Sequence, residues 1–121
     1  MATKVLFDPK GPALEADVRI GFAQAGAYVL KLFDGNEVVQ RWEGTFFNPD
    51  DDRYALPGTA KENNGRLLQC RFGVEIIPPE DQYALMLTIM QGTQKLAVIT
   101  VAGQTSEPEV TRSLFAELMA Q

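Results

Sequence analysis

The residues best suited to chemistry in this sequence are three consecutive acidic residues in a region rich in turn-forming residues. Clustered carboxylates supply the hard oxygen ligands that Ca²⁺ prefers. Their spacing does not match an EF-hand loop, and no second Asp-rich loop accompanies them. Asp8, Glu80 and Asp81 would join them only if the fold brought these segments together. The favoured interpretation is a solvated turn. The weaker alternative is a calcium site formed by Asp50, Asp51 and Asp52.

Residues for nucleophilic catalysis are missing from the sequence. The chain has no histidine, which excludes Ser-His-Asp and Cys-His systems and nearly all zinc sites. No glycine-rich phosphate loop occurs either. Cys70 alternates with Leu68 and Phe72 on a strand face expected to point inward, where a thiol behaves as a small hydrophobe. We therefore predict no catalytic residue, no cofactor and no enzymatic activity.

Two further groups of side chains could form a site on the surface: charged residues on the strands and a cluster of aromatic residues. Glu43, Glu75 and Arg71 occupy predicted outward strand positions, where cross-strand surface pairing is the favoured interpretation over a carboxylate pair with a cation. Aromatic rings cluster near one another in the sequence, and an exposed aromatic cluster would mark a binding surface. Aromatic residues in small β-domains belong more often to the core. The binding-surface candidates are Trp42, Phe46 and Phe47.

Composition and charge restrict the partners. The chain has 121 residues, of which 45% are hydrophobic, and this predicts one globular domain over residues 1–121. The formal charge of -5, with basic residues scattered singly, argues against nucleic acid and against an anionic membrane surface. No apolar run is long enough to span a membrane. A solitary cysteine and no recognisable export signal favour the cytoplasm.

Alternating apolar and polar residues predict antiparallel strands. Side chains at 14, 16, 18, 20 and 22 are apolar, and residues 66–77 repeat the pattern. A hairpin is predicted around Asp34-Gly35-Asn36. A loop of Gly35-Asn36 would pair Phe33 with Val38, whereas a loop of Asp34-Gly35 would shift each pair by one. The sequence leaves both registers open.

The last hairpin is apolar on both faces. Residues 82–91 and 95–102 flank Gly92-Thr93, which suits a type II′ turn. One face is predicted to carry Leu85, Leu87, Ile89, Leu96 and Val98. The other face is predicted to carry Ala84, Met86, Thr88, Met90, Ala97, Ile99 and Val101. Such a hairpin needs a covering layer on both sides.

The C-terminal segment is predicted to form a helix over about 107–120. Ser106 and Glu109 have the spacing of a capping box, with Pro108 in the first turn. Val110, Leu114 and Leu118 follow at intervals of four, as on one stripe of a helix. We expect this helix to cover the Met-rich face of the last hairpin. The alternative is that a second copy of the protein covers that face.

These elements predict a mainly β fold: an antiparallel two-sheet sandwich or flattened barrel of about seven or eight strands with one C-terminal α-helix. The function favoured is a non-enzymatic protein-binding or assembly module of the small cytoplasmic β-domain sort found in bacteria, acting through self-association or another protein. One alternative is a carrier of a small apolar ligand, with a barrel cavity lined by Phe22, Leu30, Phe72 and Leu87. A carboxylate- or Ca²⁺-dependent enzyme or binding domain is the third.

Overall fold

Two β-sheets packed face to face make up the fold. The computed structural model describes residues 2–22, 25–45 and 52–121. Its strands are β1 (Thr3–Phe7), β2 (Leu14–Gly21), β3 (Ala25–Asp34), β4 (Glu37–Thr45), β5 (Arg53–Ala55), β6 (Leu67–Glu75), β7 (Gln82–Gln91), β8 (Gln94–Gln104) and β9 (Glu109–Ala120). Within these ranges, the one helical element is a 3₁₀ turn at Lys61–Asn63.

The sheets have five and four strands. The larger sheet has the order β1-β9-β6-β3-β4, and the smaller has the order β5-β2-β7-β8. All neighbours are antiparallel except β1, which runs parallel to β9. Because each sheet keeps two separate edges, the structure is a sandwich and not the flattened barrel. No helix in the described part of the chain is both long enough and apolar enough to cross a membrane.

The core lies between the two sheets and follows the alternation of the strands. Side chains that point inward from both sheets form one buried cluster. Its largest fully buried members are Phe7, Phe72, Leu14, Leu30, Leu32, Leu68, Leu85, Leu87, Ile89 and Leu118. Burial of this apolar surface is the main term that stabilises such a fold.

The predicted C-terminal helix is wrong, because residues 109–120 form β9. This strand lies between β1 and β6 in the larger sheet. Val110, Leu114 and Leu118 are buried, but they point inward as alternate residues of a strand. An interval of four satisfies a period of two as well as a helical period, so these three positions could not distinguish the two. Pairing with two neighbouring strands decided in favour of β structure.

The first hairpin uses the Gly35-Asn36 loop, one of the two registers left open. Phe33 pairs with Val38 and Asp34 with Glu37. Gly35 has a φ of 60°, a conformation that glycine adopts without strain. The next pair is Leu32 with Gln40, so a bulge follows immediately and Val39 is the extra residue.

The last hairpin turns at Gly92-Thr93, as predicted, but the predicted faces of β8 are wrong. Ile89 pairs with Ala97, whereas Met90 pairs with Lys95, so Leu96 is an extra residue in a bulge. A one-residue shift moves every later side chain to the opposite face. Ala97, Ile99 and Val101 therefore point toward the core with Leu85, Leu87 and Ile89. Val98 points outward and is 48% exposed.

Candidate binding surface

The aromatic candidate Trp42 packs at the side of the sandwich where β4 and β5 approach each other. Its ring stacks on Tyr54 with a centroid distance of 5.5 Å. Tyr54 meets Tyr28 edge to face at 6.4 Å, and the two hydroxyl groups form a hydrogen bond. Trp42 and Tyr54 are partly buried, so this cluster joins the two sheets. Phe46 and Phe47 lie outside the described residues.

Of the calcium candidates, only Asp52 belongs to the described part of the chain; Asp50 and Asp51 lie outside it. The backbone carbonyl of Asp52 accepts a hydrogen bond from Val18 N at 2.9 Å. Burial, followed by the Tyr54 hydroxyl and the Asp52 carboxylate, raises the pKa of Tyr28 far above its usual value. Among the described residues, no group of three metal-ligating side chains comes together.

The other acidic candidates are spread over separate parts of the fold. Asp8 contacts Gln91 at the β1–β2 loop, and Asp81 contacts Gln104 beside the end of β8. Glu80 Oε1 accepts a hydrogen bond from the backbone N–H of Gln82. These positions explain why the three carboxylates do not assemble with Asp52 into one site.

Glu43, Arg71 and Glu75 lie on the outer face of the larger sheet. Glu43 and Arg71 both flank Val29, on opposite sides, and Glu43 forms an ion pair with Arg41. Glu75 stands opposite Glu109 on β9. Like charges directly opposite each other in a sheet are unfavourable. The three residues thus lie on one sheet face but do not converge on a point.

Cys70 is fully buried on the inward face of β6. Burial raises the pKa of its thiol, so the reactive thiolate is disfavoured at neutral pH. The structure places this residue where the alternation predicted it, as a small core side chain.

Two adjoining grooves of about 600 and 340 Å³ open on the outside of the larger sheet. Both grooves are lined by Ala27, Thr45, Gly73 and Thr111. These residues have small side chains or, in glycine, none, so they leave a depression in the surface of the sheet. Three of the residues predicted to line a carrier cavity, Leu30, Phe72 and Leu87, are instead packed in the core. The fourth, Phe22, is 46% exposed.

The four sheet edges differ in how well they are protected. An exposed edge strand offers unpaired backbone groups, and proteins protect such strands by short length, charge or bulges. β5 has three residues and β1 has five. β4 carries Glu37, Arg41 and Glu43, together with a bulge. β8 has eleven residues with a bulge near its start at Leu96, and only Lys95 is charged.

Hydrogen-bond geometry shows which backbone groups of β8 point away from β7, toward the free side of the strand. The N–H of Thr105 donates to the carbonyl oxygen of Asp81 at 3.0 Å, one pair beyond Gln82 with Gln104. Hydrogen-bonded and non-hydrogen-bonded pairs alternate along an antiparallel ladder. The odd-numbered residues of β8 after the bulge therefore bond to β7. The residues that direct their N–H and C=O groups to the free side are Val98, Thr100, Ala102 and Gln104, and we call their backbone the β8 edge.

The outer face of the β7–β8 hairpin is apolar and partly exposed. It carries Ala84, Met86, Thr88 and Met90 from β7, and Val98, Thr100 and Ala102 from β8. No strand or helix in residues 2–22, 25–45 and 52–121 forms a third layer over this face. The β8 edge and this outer face are contiguous because they belong to the same strand.

The sequence predicted a partner layer for this hairpin, but it did not predict that β8 is an edge strand. A signal was present, since β8 has a single charged residue and no proline. The position of β8 at the edge depends on sheet order, which alternation does not show.

Comparison of the chain with protein-family models, curated proteins and solved structures finds no match. The fold and the surface define a two-sheet β-sandwich whose longest edge strand, β8, is almost uncharged.

Proposed function

We propose that this protein is a non-enzymatic binding and assembly module that takes up a strand of a protein partner at the β8 edge. The observation that carries the proposal is the contrast between β8 and the other three edges. β8 is long and almost uncharged, and its pairing is regular after the bulge at Leu96, whereas β1 and β5 are short and β4 carries three charged residues. Strand addition at such an edge uses main-chain hydrogen bonds for affinity and side-chain contacts for specificity.

The surface beside the edge suits this role. A strand added to β8 places alternate side chains over the outer face next to Val98 and Thr100. Ile99 and Val101, which point inward, are only partly buried because β8 is the last strand of its sheet. An added strand would cover them further and would gain apolar burial. We expect the partner to supply an extended segment that has β-branched or small apolar side chains and few charges.

The proposal is tested with a peptide that has the required chemistry. The probe is a synthetic peptide with the sequence of residues 94–104, and its control is the same composition in scrambled order. The protein is tethered to a surface at low density, so that tethered copies do not meet. We expect the ordered peptide to bind at least about ten times more tightly than the scrambled one, the free-energy equivalent of about 1.4 kcal/mol.

A variant locates the binding at the edge. Thr100→Pro removes an N–H that points away from β7, so it blocks the edge without removing a bond of the native ladder. Peptide binding is expected to fall at least about tenfold in this variant and to persist in Thr100→Val, which retains the N–H. Equal binding of the ordered and scrambled peptides would refute the proposed function.

A further inference from the structure

We propose that the occupant of the β8 edge is a second copy of this chain, paired antiparallel through β8 with Thr100 on a two-fold axis. This inference rests on the proposed function, because it names the partner of the same edge. It joins the two four-stranded sheets into one continuous sheet of eight strands. The axis runs perpendicular to the sheet, so the outer faces of the two copies become one surface.

The backbone of the edge is complementary to itself. Two identical strands related by a two-fold axis pair antiparallel, and every contact then occurs twice. Cross-strand partners share a face of the sheet, so outward residues of one copy stand opposite outward residues of the other. With Thr100 on the axis, Val98 stands opposite Ala102 of the other copy. The larger side chain thus meets the smaller one on both sides of the axis.

Charges at the two ends of β8 favour the same arrangement. Lys95 lies at the start of the strand, and acidic residues lie beyond its end. With Thr100 on the axis, Gln104 of the other copy stands opposite Leu96, the bulge residue next to Lys95. Gln104 shares the outer face with Lys95, and its Nε2 group donates a hydrogen bond to Asp81 Oδ2 at 2.8 Å. Antiparallel pairing therefore brings Lys95 of one copy to the end of the strand that carries Asp81 of the other, and parallel pairing would bring the two lysines together instead.

Sedimentation velocity between about 1 and 100 μM measures the association. The native protein is expected to form a dimer in this range. Thr100→Pro and Thr100→Lys are expected to weaken the dimer at least about tenfold, the first by removing an edge N–H and the second by placing two lysines opposite each other. Thr100→Val is the matched control and keeps the dimer. Circular dichroism at low concentration verifies that each variant is folded.

Disulfide formation tests the register. Thr100→Cys places two thiols on the axis, at a Cα separation of about 5.5 Å, within the range that a disulfide spans. We expect a cross-linked dimer under mild oxidation. Thr88→Cys is the control, since it changes the same residue type on the same face but one strand away from the edge. The native Cys70 is fully buried and does not interfere.

The outcomes separate the two proposals. A strict monomer at 100 μM that still binds the strand peptide overturns the second copy as occupant but leaves the proposed function standing. A dimer that persists in both Thr100→Pro and Thr100→Lys overturns the pairing through β8. Absence of both dimer and peptide binding overturns the two together. A dimer lost in both variants and cross-linked by Thr100→Cys supports the inference.

Discussion

Single side chains at the turns do much to hold the sheets together. Gln91, the last residue of β7, is nearly buried although it is polar. Its Nε2 group donates to the carbonyl oxygens of Asp8 and Pro12 at 2.7 and 2.9 Å, and its Oε1 atom accepts from Asp8 N at 3.0 Å. One amide thereby bonds three backbone groups of the β1–β2 loop, of which the Asp8 carbonyl oxygen also accepts a hydrogen bond from Gly11 N at 3.1 Å.

Replacing this amide provides a direct measurement of that role. Gln91→Met keeps the length of the side chain but removes its three hydrogen bonds to the backbone of the β1–β2 loop. We expect the free energy of unfolding to fall by about 3 kcal/mol in urea denaturation. Gln94→Met is the control, because Gln94 faces Gln91 across the turn and is exposed. The control is expected to change stability by less than about 0.5 kcal/mol; equal losses in both variants would contradict this account of Gln91.

The buried thiol predicts how stability changes in alkali. Burial raises the pKa of Cys70 in the native state, whereas in the unfolded chain the thiol ionises near pH 9. Between about pH 9 and 10 the unfolded state therefore holds fewer protons than the native state, so stability falls as pH rises. We expect Cys70 to contribute a slope of about -1 kcal/mol per pH unit in this window.

Cys70→Ala isolates this contribution. The variant is less stable at every pH because it leaves a small cavity, but its pH dependence between 9 and 10 is expected to be shallower than that of the native protein by the stated slope. Chemical denaturation at several pH values measures both slopes. Staying below pH 10 limits the contribution of Tyr28, whose pKa is also raised. Identical slopes in the two proteins would argue against a buried, protonated thiol.

At the scale of the elements, two edge strands contain a glycine that a tyrosine covers. Gly44 on β4 pairs with Tyr28, and Gly103 on β8 pairs with Tyr83. A Cβ atom at Gly103 would lie 2.6 Å from the Tyr83 hydroxyl. Each glycine therefore makes room for a ring that folds across it, an arrangement that fixes the register of an edge strand.

Alanine at two glycines of the larger sheet should have opposite effects. At Gly44 an added Cβ would lie 2.7 Å from a ring carbon of Tyr28, so Gly44→Ala is expected to destabilise by about 2 kcal/mol. At Gly73 an added Cβ meets nothing within 4 Å, so Gly73→Ala is expected to stabilise by about 0.5 kcal/mol through the unfolded state. Thermal unfolding compares the two, and a loss of stability in both would show that strand glycines matter here for another reason.

Alternation predicted most strands but failed where two periods coincide or a bulge intervenes. β2, β6 and β7 were located within two residues at either end, because one face of each is clearly apolar. In β9, Phe115 and Met119 put apolar side chains on the outer face as well, which hid the alternation and suggested a helical stripe. In β8, the extra residue Leu96 reversed the predicted faces, and no local pattern marks that bulge.

At the scale of the whole molecule, the first strand, β1, and the last strand, β9, lie side by side in the larger sheet. β1 was not predicted as a strand, and its parallel pairing with β9 joins residues separated by most of the chain. Alternation cannot show such a pairing, since it depends on sheet order. The candidate surface likewise required the assembled sheets, because only they make β8 an edge. The apolar character of both faces of the last hairpin was visible beforehand, and the partner layer that it suggested stays a prediction.

We therefore expect β1, through its pairing with β9 and its core side chains, to contribute to the stability of both sheets. Phe7 is fully buried in the cluster that the sheets share, whereas its neighbour Leu6 is 54% exposed on the opposite face. We expect Phe7→Ala to lower the free energy of unfolding by about 4 kcal/mol and Leu6→Ala by less than about 0.5 kcal/mol, as measured in urea. Because the core is common to both sheets, hydrogen exchange should become faster in β7 of the smaller sheet as well as in β9. Faster exchange confined to β1 and β9 would instead mean that the N-terminal strand detaches locally while the rest of the sandwich stays folded.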